Sequence, residues 1–226
     1  MGDGGLAVGA AQLAFYEKNR SFKRKGQNTF FLGGRPNTDG LSDRLEHSGY
    51  RFTEFSHLSD QADSVANLLQ DNLVVGIVRE EMEFGPRALC HRSIIASPCN
   101  ASINVTLNAR LNRTEFMPFA PITLSEYADK MYKNLGNKKL ATKFMTITTD
   151  CTEKKIKISP ATVHIDKTAR PQILKKEDNF KIYKVLKEYF KISKIPNLIN
   201  TSFNVHEEPI VCSTSDAIRA FKTSKL

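Results

Sequence analysis

A run of ten residues places two arginines beside a rigid turn, in a pattern suited to anion binding. Glu83 opens the run, residues 85–86 form a Gly-Pro turn, and Arg87 and Arg92 supply two guanidinium groups. Proline fixes its own φ and keeps the preceding residue out of the helical region, so Arg87 starts from a restricted backbone. A guanidinium held in this way donates two parallel charge-assisted hydrogen bonds to a phosphate or a carboxylate. The alternative, that both arginines are ordinary solvated surface residues, stays open from the residue types alone.

Two later segments also combine polar side chains with turn-forming residues. Residues 200–204 read Asn-Thr-Ser-Phe-Asn and carry hydrogen-bond donors and acceptors on short, stiff side chains. A turn that satisfies only its own backbone explains these residues equally well. Residues 161–172 run from an apolar stretch into a polar turn that carries His164 and Arg170. The chain therefore offers three polar segments with side chains suited to binding.

The three segments need elements that hold them, and the apolar pattern supplies candidates. Short apolar stretches have the length and composition of strands, whereas longer ones repeat apolar residues at helical spacing. Strands that alternate with helices and end in polar motifs predict an α/β (α+β) domain with a twisted mixed sheet and flanking helices. The predicted strands are residues 73–78, 145–149, 161–165 and 195–199, and residues 116–124 are predicted to be extended. The predicted helices are residues 6–15, 60–70, 100–112, 178–192 and one from Asp216 with Ser215 as its cap, whereas residues 20–56 and 129–143 are predicted to be irregular.

Four motifs in a fixed order resemble the C-terminal domain of the NodU/CmcH-type O-carbamoyltransferases. The family motifs EFGPRALG-x-RSI, R-x-x-FRPFAP, HVDGTAR-x-Q and NTSFN-x-x-x-EPIV correspond here to EFGPRALCHRSI, RTEFMPFAP, HIDKTARPQ and NTSFNVHEEPIV. These motifs span residues 83–212, and residues 2–11 resemble the last part of the actin-like domain that precedes them in the family. The resemblance covers nearly the whole chain but only the C-terminal part of a family member.

The resemblance implies two domains and a division of labour between them. Residues 56–226 would form a YrdC-like domain, truncated at its end, and residues 1–55 would be the C-terminal remnant of the actin-like domain plus a linker. The YrdC-like domain condenses carbamoyl phosphate with ATP, bound with Mg²⁺, to give carbamoyladenylate and pyrophosphate. The actin-like domain, in the same chain or another, would then transfer the carbamoyl group to a hydroxyl of a sugar or natural product. Asp3 matches a metal-binding carboxylate of that domain, but its partner histidines are absent, so no metal is expected in this chain alone.

The resemblance also assigns roles to individual residues on the matching motifs. Arg87, Arg170 and Arg113 are expected to be catalytic and to hold the phosphates and the carbamoyl oxygen. His164 is expected to contact the substrates, although a hydrogen-bonded structural histidine is the alternative. The remaining residues expected to bind the substrates or the nucleotide are Arg92, Asn200, Ser202, Asn204 and His206.

Four positions depart from the family motifs. Cys90 and Lys167 stand where the family has glycine, and Met117 and His206 stand where it has arginine. Loss of a glycine relaxes a tight backbone approach, and loss of an arginine removes a phosphate ligand. These changes mark either a subfamily or a weakened activity.

The composition of the 226 residues indicates a folded intracellular domain. Hydrophobic residues make up 40% of the chain and charged residues 25%, a balance that argues against disorder. No apolar run approaches the roughly 20 residues of a membrane helix, and the N-terminus lacks a basic-then-apolar signal. The four cysteines show no C-x-x-C spacing, so we expect reduced thiols in a cytoplasmic protein.

The formal net charge of +9 comes largely from lysines in the second half of the chain. Lysines on one face of the predicted helix 178–192 are typical of a solvated surface, but they also attract polyanions such as nucleotides or RNA. Three functions therefore stay in competition. They are a carbamoyladenylate-forming domain, an RNA-binding YrdC-like module, and an inactive fragment of a split carbamoyltransferase.

Overall fold

The computed structural model describes residues 4–21, 29–113 and 118–226, so the predictions for Asp3 and Met117 lie outside it. Within these residues the chain forms a five-stranded mixed sheet and a separate two-stranded one. In the large sheet the spatial order is β1-β2-β7-β3-β6, with β3 and β6 parallel and all other neighbours antiparallel. The strands are β1 (Val75–Val78), β2 (Arg92–Ala96), β3 (Ala120–Leu124), β4 (Thr149–Asp150), β5 (Thr168–Ala169), β6 (Gln172–Leu174) and β7 (Asn197–Ser202).

Helices cover both faces of the large sheet. Because neighbouring residues of a strand point to opposite faces, Ile95 packs against α3 and α8 while Ile94 packs against α4 and α9. The two apolar cores make this a three-layer α/β domain. The helices are α1 (Gly4–Lys18), α2 (Leu41–His47), α3 (Leu58–Gln70), α4 (Ile103–Arg110), α5 (Ala128–Met131), α6 (Lys139–Lys143), α7 (Glu153–Ile158), α8 (Phe180–Ser193) and α9 (Thr214–Ser224), with short 3₁₀ turns at Ser125–Tyr127, Gly136–Lys138 and Pro160–Thr162.

The strand register brings the polar segments to one edge of the sheet. Ile94 of β2 pairs with Thr201, Ala120 of β3 pairs with Asn200, and β6 lies beside β3 in parallel. Strands β2, β3 and β6 therefore begin at the edge where β7 ends. Since an arginine precedes each of the three strands, this topology gathers all three arginine-bearing segments and the end of β7 on one side of the domain.

Several predicted elements need correction. Of the strand predicted over residues 145–149 only Thr149 lies in a strand, the first residue of β4, and Met145 takes a left-handed φ of 53° that extended backbone does not allow. Residues 161–165 form no strand, because Pro160 opens a 3₁₀ turn that leads into a tight turn. The helix cap at the C-terminus is Ser213 rather than Ser215, since the Ser213 and Asp216 side chains form a reciprocal capping box.

Residues 29–50 pack closely on the following part of the chain. The rings of Phe30 and Phe144 lie 4.4 Å apart, and those of Tyr50 and Phe221 lie 5.4 Å apart. By contrast α1 has no buried residue, and its Leu6 side chain is 74% exposed. The predicted boundary at residue 55 thus stays a prediction, and contacts between aromatic rings cross it.

The two positions where this chain replaces a glycine of the family motifs, Cys90 and Lys167, have a left-handed backbone. Cys90 has a φ of 77° and Lys167 a φ of 64°, a region that costs a residue with a Cβ roughly 1–2 kcal/mol. Lys167 is exposed, so its side chain contributes little to packing there.

Lys167→Gly is expected to stabilise the protein by about 0.5–1 kcal/mol in urea unfolding. The relief of backbone strain exceeds the entropy that glycine adds to the unfolded chain. Lys167→Ala is the matched control, because it removes the same charge and keeps the strain. Equal stability of the two variants would show that the left-handed φ carries no cost.

Candidate active site

Arg87 and Arg170 line one cleft at the edge of the sheet where the arginine-bearing segments meet. The cleft has a volume of about 800 Å³. Besides the two arginines its walls contain Pro86, Lys138 and the segment 145–148. Three cationic side chains thus face one cavity that is large enough for a small-molecule ligand.

The two guanidinium groups have no counter-ion in the described part of the chain. Among the described residues, no carboxylate lies within ion-pair distance of Arg87 or Arg170. Nε of Arg170 is buried without a hydrogen-bond partner, and burial followed by the nearby charge of Arg87 lowers the Arg170 pKa. Two like charges held together in a partly desolvated cleft favour an anion between them.

Asn200 lies behind the segment that carries Arg87 rather than in the cleft. Its side chain is 1% exposed, and its Nδ2 donates to the carbonyl of Ala88 at 3.0 Å and to Oε1 of Gln172 at 2.7 Å. Nε2 of Gln172 donates in turn to the carbonyl of Leu89 at 3.4 Å. Asn200 and Gln172 therefore hold the backbone carbonyls of Ala88 and Leu89, the two residues that follow Arg87.

Arg92 is not in the cleft, contrary to the sequence-based expectation of a substrate contact. Its side chain is 0% exposed because the residue belongs to β2, which the sequence analysis did not predict. All of its nitrogens donate to backbone carbonyl oxygens, so no donor is left for an anion. Nε donates to Cys212 (3.3 Å), Nη1 to Arg79 (2.5 Å) and His91 (3.0 Å), and Nη2 to Gly34 and Glu80 (both 3.3 Å).

Arg113 forms a second cationic position beside the end of β7. Its Nη2 donates to Oγ1 of Thr201 at 3.2 Å, and its guanidinium lies 5.5 Å from the centre of the Phe119 ring. Burial lowers the Arg113 pKa, and no described carboxylate is paired with it. The backbone N–H of His206 donates to the carbonyl of Leu111, two residues before Arg113, at 2.9 Å. This bond ties the turn that carries His206 to the segment that carries Arg113.

Ser202 and Asn204 mainly organise the turn that follows β7. Ser202 Oγ donates to Oδ1 of Asn204 at 2.6 Å, and Nδ2 of Asn204 donates to the carbonyl of Glu208 at 2.9 Å. Both side chains are half-buried. These contacts match the alternative given in the sequence analysis, a turn that satisfies its own polar groups.

His164 is held by the turn that leads to Arg170. Its Nδ1 lies 3.0 Å from Oγ1 of Thr168, whose own N–H and hydroxyl donate to Oδ1 of Asp166. Burial lowers the His164 pKa, the Asp166 carboxylate raises it and the charge of Arg170 lowers it further, with a net decrease. His164 is therefore neutral near pH 7 and suited to hydrogen bonding rather than to charge pairing with phosphate.

Sequence reasoning missed the polar residues that support the arginines. Gln172 ends the HIDKTARPQ motif and Glu83 begins the EFGPRAL motif, yet neither received a role. The available signal was that Gln172 and Glu83 belong to motifs whose arginines had been assigned a role.

Among the described residues no group of three His, Cys, Asp or Glu side chains could hold a metal ion. Nor is any helix in the described ranges long and apolar enough to cross a membrane.

Comparisons with known proteins identify the family of the chain. Residues 66–226 match the family model described as the carbamoyltransferase C-terminus. An uncharacterised protein of Methanocaldococcus jannaschii is 38% identical over 226 residues, which cover 98% of this chain and 42% of that protein. The nodulation protein NolNO of Sinorhizobium fredii is 33% identical over 99% of this chain and 33% of its own length. The chain thus spans well under half the length of these relatives.

A solved structure shares the fold at low sequence identity. The full-length HypF crystal structure in its phosphate- and nucleotide-bound form has a TM-score of 0.54 and 18% identity, over 72% of this chain and 23% of the HypF chain. At that identity the likeness shows the fold alone. It confirms the predicted α/β fold with a mixed sheet and flanking helices.

Proposed function

The chain belongs to the carbamoyltransferase C-terminus family, and from that membership we propose that it activates carbamoyl phosphate with ATP. The observation that carries the proposal is the cleft lined by Arg87 and Arg170, two guanidinium groups that share one cavity without a described counter-ion. Both substrates are polyanions that repel each other. A site that joins them needs fixed positive charge, and this cleft has it.

The proposed reaction gives carbamoyladenylate, pyrophosphate and phosphate. Water releases phosphate from carbamoyl phosphate, a carbamate oxygen attacks the α-phosphorus of ATP, and pyrophosphate leaves. Arg87 and Arg170 would hold the phosphoryl oxygens and stabilise the charge that develops on them. Arg113 would bind the carbamoyl group or the departing phosphate from the side of β7. The protein supplies position and electrostatics, and no residue forms a covalent bond with either substrate.

The nucleotide and its metal ion are part of the proposal. HypF was crystallised with phosphate and nucleotide bound, and a shared fold makes a similar ligand reasonable here. Since the described residues offer no acidic cluster for a metal, we infer that Mg²⁺ arrives on the triphosphate and stays bound to its oxygens. His164, Ser202, Asn204 and His206 stay proposed contacts of the substrates or the nucleotide, and none of the four lines the cleft of Arg87 and Arg170.

Transfer of the carbamoyl group to a hydroxyl is proposed for a separate actin-like domain. The relatives are more than twice as long as this chain, and the extra length has room for that domain. Leu6 and Leu13 of α1 are more than half exposed, which suits a helix that docks on such a domain.

We also propose a cytoplasmic location, because all four cysteines are free thiols.

The RNA-binding alternative has less support. Three of the four lysines on α8 are paired with carboxylates. Lys181 lies 2.6 Å from Glu80, Lys187 lies 3.2 Å from Glu126 and Lys191 lies 2.6 Å from Glu188. Such pairs reduce the positive field of that helix face. The inactive-fragment alternative is decided by activity alone.

Exchange of radiolabelled pyrophosphate into ATP tests the proposal. Wild-type protein is expected to support exchange only when carbamoyl phosphate and Mg²⁺ are both present, and to carbamoylate no hydroxyl acceptor by itself. Exchange that needs no carbamoyl phosphate would contradict the proposed substrate. Absence of both exchange and ATP binding would favour the inactive fragment, and RNA binding that weakens steeply with salt would favour the RNA-binding module.

A further inference from the structure

Three backbone N–H groups converge on one oxygen of Glu83. Oε1 accepts from the N–H of Leu89 at 2.6 Å, of His91 at 2.8 Å and of Arg92 at 3.2 Å. Hydrogen bonds to a carboxylate are shorter and stronger than those between neutral groups. One side chain therefore joins the start of the arginine segment to its end.

Burial of the Glu83 carboxylate costs free energy of desolvation. Glu83 is 5% exposed, and its second oxygen, Oε2, is buried without a hydrogen-bond partner. Among the described residues it forms no ion pair. A buried carboxylate is costly to desolvate, and the three N–H groups offset that cost together with the nearby charge of Arg92.

The closed segment has Arg87 at its far end. Gly85 has a φ of 105° and Cys90 a φ of 77°, so the backbone reverses direction on either side of the arginine. At the base of the closed segment, the N–H of Phe84 donates to the carbonyl of Phe30, which lies outside the segment, at 2.6 Å. Residues 83–92 thus form a ring that is closed by a side chain and fixed to the domain at its base.

We propose that Glu83 is a positioning residue for Arg87. Its carboxylate closes the ring from which the Arg87 guanidinium reaches into the cleft, and it touches neither substrate. This proposal rests on the proposed function for its catalytic consequence, but the ring itself is a structural statement. An arginine on a loose segment would lose the alignment with the phosphoryl oxygens, and a misplacement of about 1 Å costs on the order of 100-fold in rate.

Glu83→Gln tests the proposal, with Glu81→Gln as the matched control. Glu81 lies two residues away and binds the Arg35 side chain at 2.6 Å, but its carboxylate accepts nothing from residues 89–92. Glu83→Gln is expected to lower pyrophosphate exchange by about 10- to 100-fold, whereas Glu81→Gln leaves it unchanged. If Glu83→Gln fails to fold, Glu83→Asp, which keeps the charge but shortens its reach, takes its place.

A double-variant cycle separates positioning from a general loss of structure. In an Arg87→Ala background, Glu83→Gln is expected to cause no further loss of exchange activity, because the residue acts through Arg87. An equal loss in both backgrounds would overturn the positioning role, as would a loss that merely follows the fraction of unfolded protein.

Amide hydrogen exchange gives a readout that does not depend on activity. The N–H groups of residues 89, 91 and 92 are expected to exchange about tenfold faster in Glu83→Gln than in wild type, with no change in Glu81→Gln. Unchanged exchange at these amides would overturn the ring. A wild-type protein without pyrophosphate exchange would overturn the proposed function and the catalytic part of this inference, while faster amide exchange in the variant would still support the ring.

Discussion

Arg170→Ala is expected to lower carbamoyl-phosphate-dependent pyrophosphate exchange by about 100- to 1,000-fold, the usual loss when one fixed donor to a developing charge is removed. The Arg170 guanidinium is partly desolvated and has no described counter-ion, so its charge is available to a phosphoryl group. Stability should change little or rise slightly, because the variant removes the repulsion between Arg170 and Arg87. The rate of exchange and the midpoint of urea unfolding are measured on the same preparation.

Two controls sharpen this result. Arg170→Lys keeps the positive charge but loses the planar fork, so it should recover only a small part of the activity. Arg110→Ala removes an exposed arginine at the end of α4 and should leave exchange unchanged. Wild-type activity in Arg170→Ala would remove this residue from the proposed chemistry.

Arg92→Ala is expected to destabilise the protein by about 3–5 kcal/mol, since it empties a buried volume and leaves several buried carbonyl groups without a donor. The side chain is fully buried and joins β2 to the backbone of Gly34, Glu80 and Cys212. Urea unfolding followed by circular dichroism measures the change.

Arg87→Ala is the matched control for that experiment. It removes the same side chain five residues earlier, but from an exposed position, so its cost in stability should lie within about 0.5 kcal/mol. We expect opposite outcomes for the two variants. Arg87→Ala should give a stable, inactive protein, and Arg92→Ala should give an unstable one. An Arg92→Ala variant with wild-type stability and lost ATP binding would restore the sequence-based expectation that Arg92 contacts the substrate.

The contrast between these two arginines shows what local sequence can and cannot predict. Both belong to one motif, and nothing in their residue type tells an exposed guanidinium from a buried one. The difference arises because Arg92 begins β2, which became visible only through its pairing with β1 and β7. A strand that starts with arginine and serine lacks the apolar pattern on which strand prediction depends.

Elements with strong periodicity were predicted closely. Helix α8 was expected at residues 178–192 and occupies Phe180–Ser193, because Ile182, Leu186 and Tyr189 recur on the face that packs in the core. Strand β7 was expected to end at residue 199 but continues to Ser202, since its polar residues pair with β2 through the backbone alone. Backbone pairing leaves no trace in side-chain hydropathy, so that extension could not be predicted.

The same limit applies to the site. The motifs predict the arginines at positions 87, 113 and 170 as anion ligands, and that role stays a prediction. The supporting contacts of Gln172 and Glu83 carry no such signal, because they join residues that are far apart in the sequence or lie within one turn. The sequence predicts that Asn200 contacts the nucleotide, whereas in the structure its side chain donates a hydrogen bond to the carbonyl of Ala88. Contacts between a side chain and a distant backbone group depend on tertiary structure, which local chemistry does not encode.

The position of β7 has a consequence for the biosynthesis of the domain. It is the last strand in the described chain but the middle strand of the sheet, between β2 and β3. Before Asn197–Ser202 emerges from the ribosome, the β1–β2 pair and the β3–β6 pair have no strand to join them, and each presents an unpaired edge. Unpaired edges are templates for aggregation. Nascent chains that stall before residue 197 are therefore expected to be substrates for chaperones and proteases, and the part of the sheet beside the candidate site is expected to assemble last.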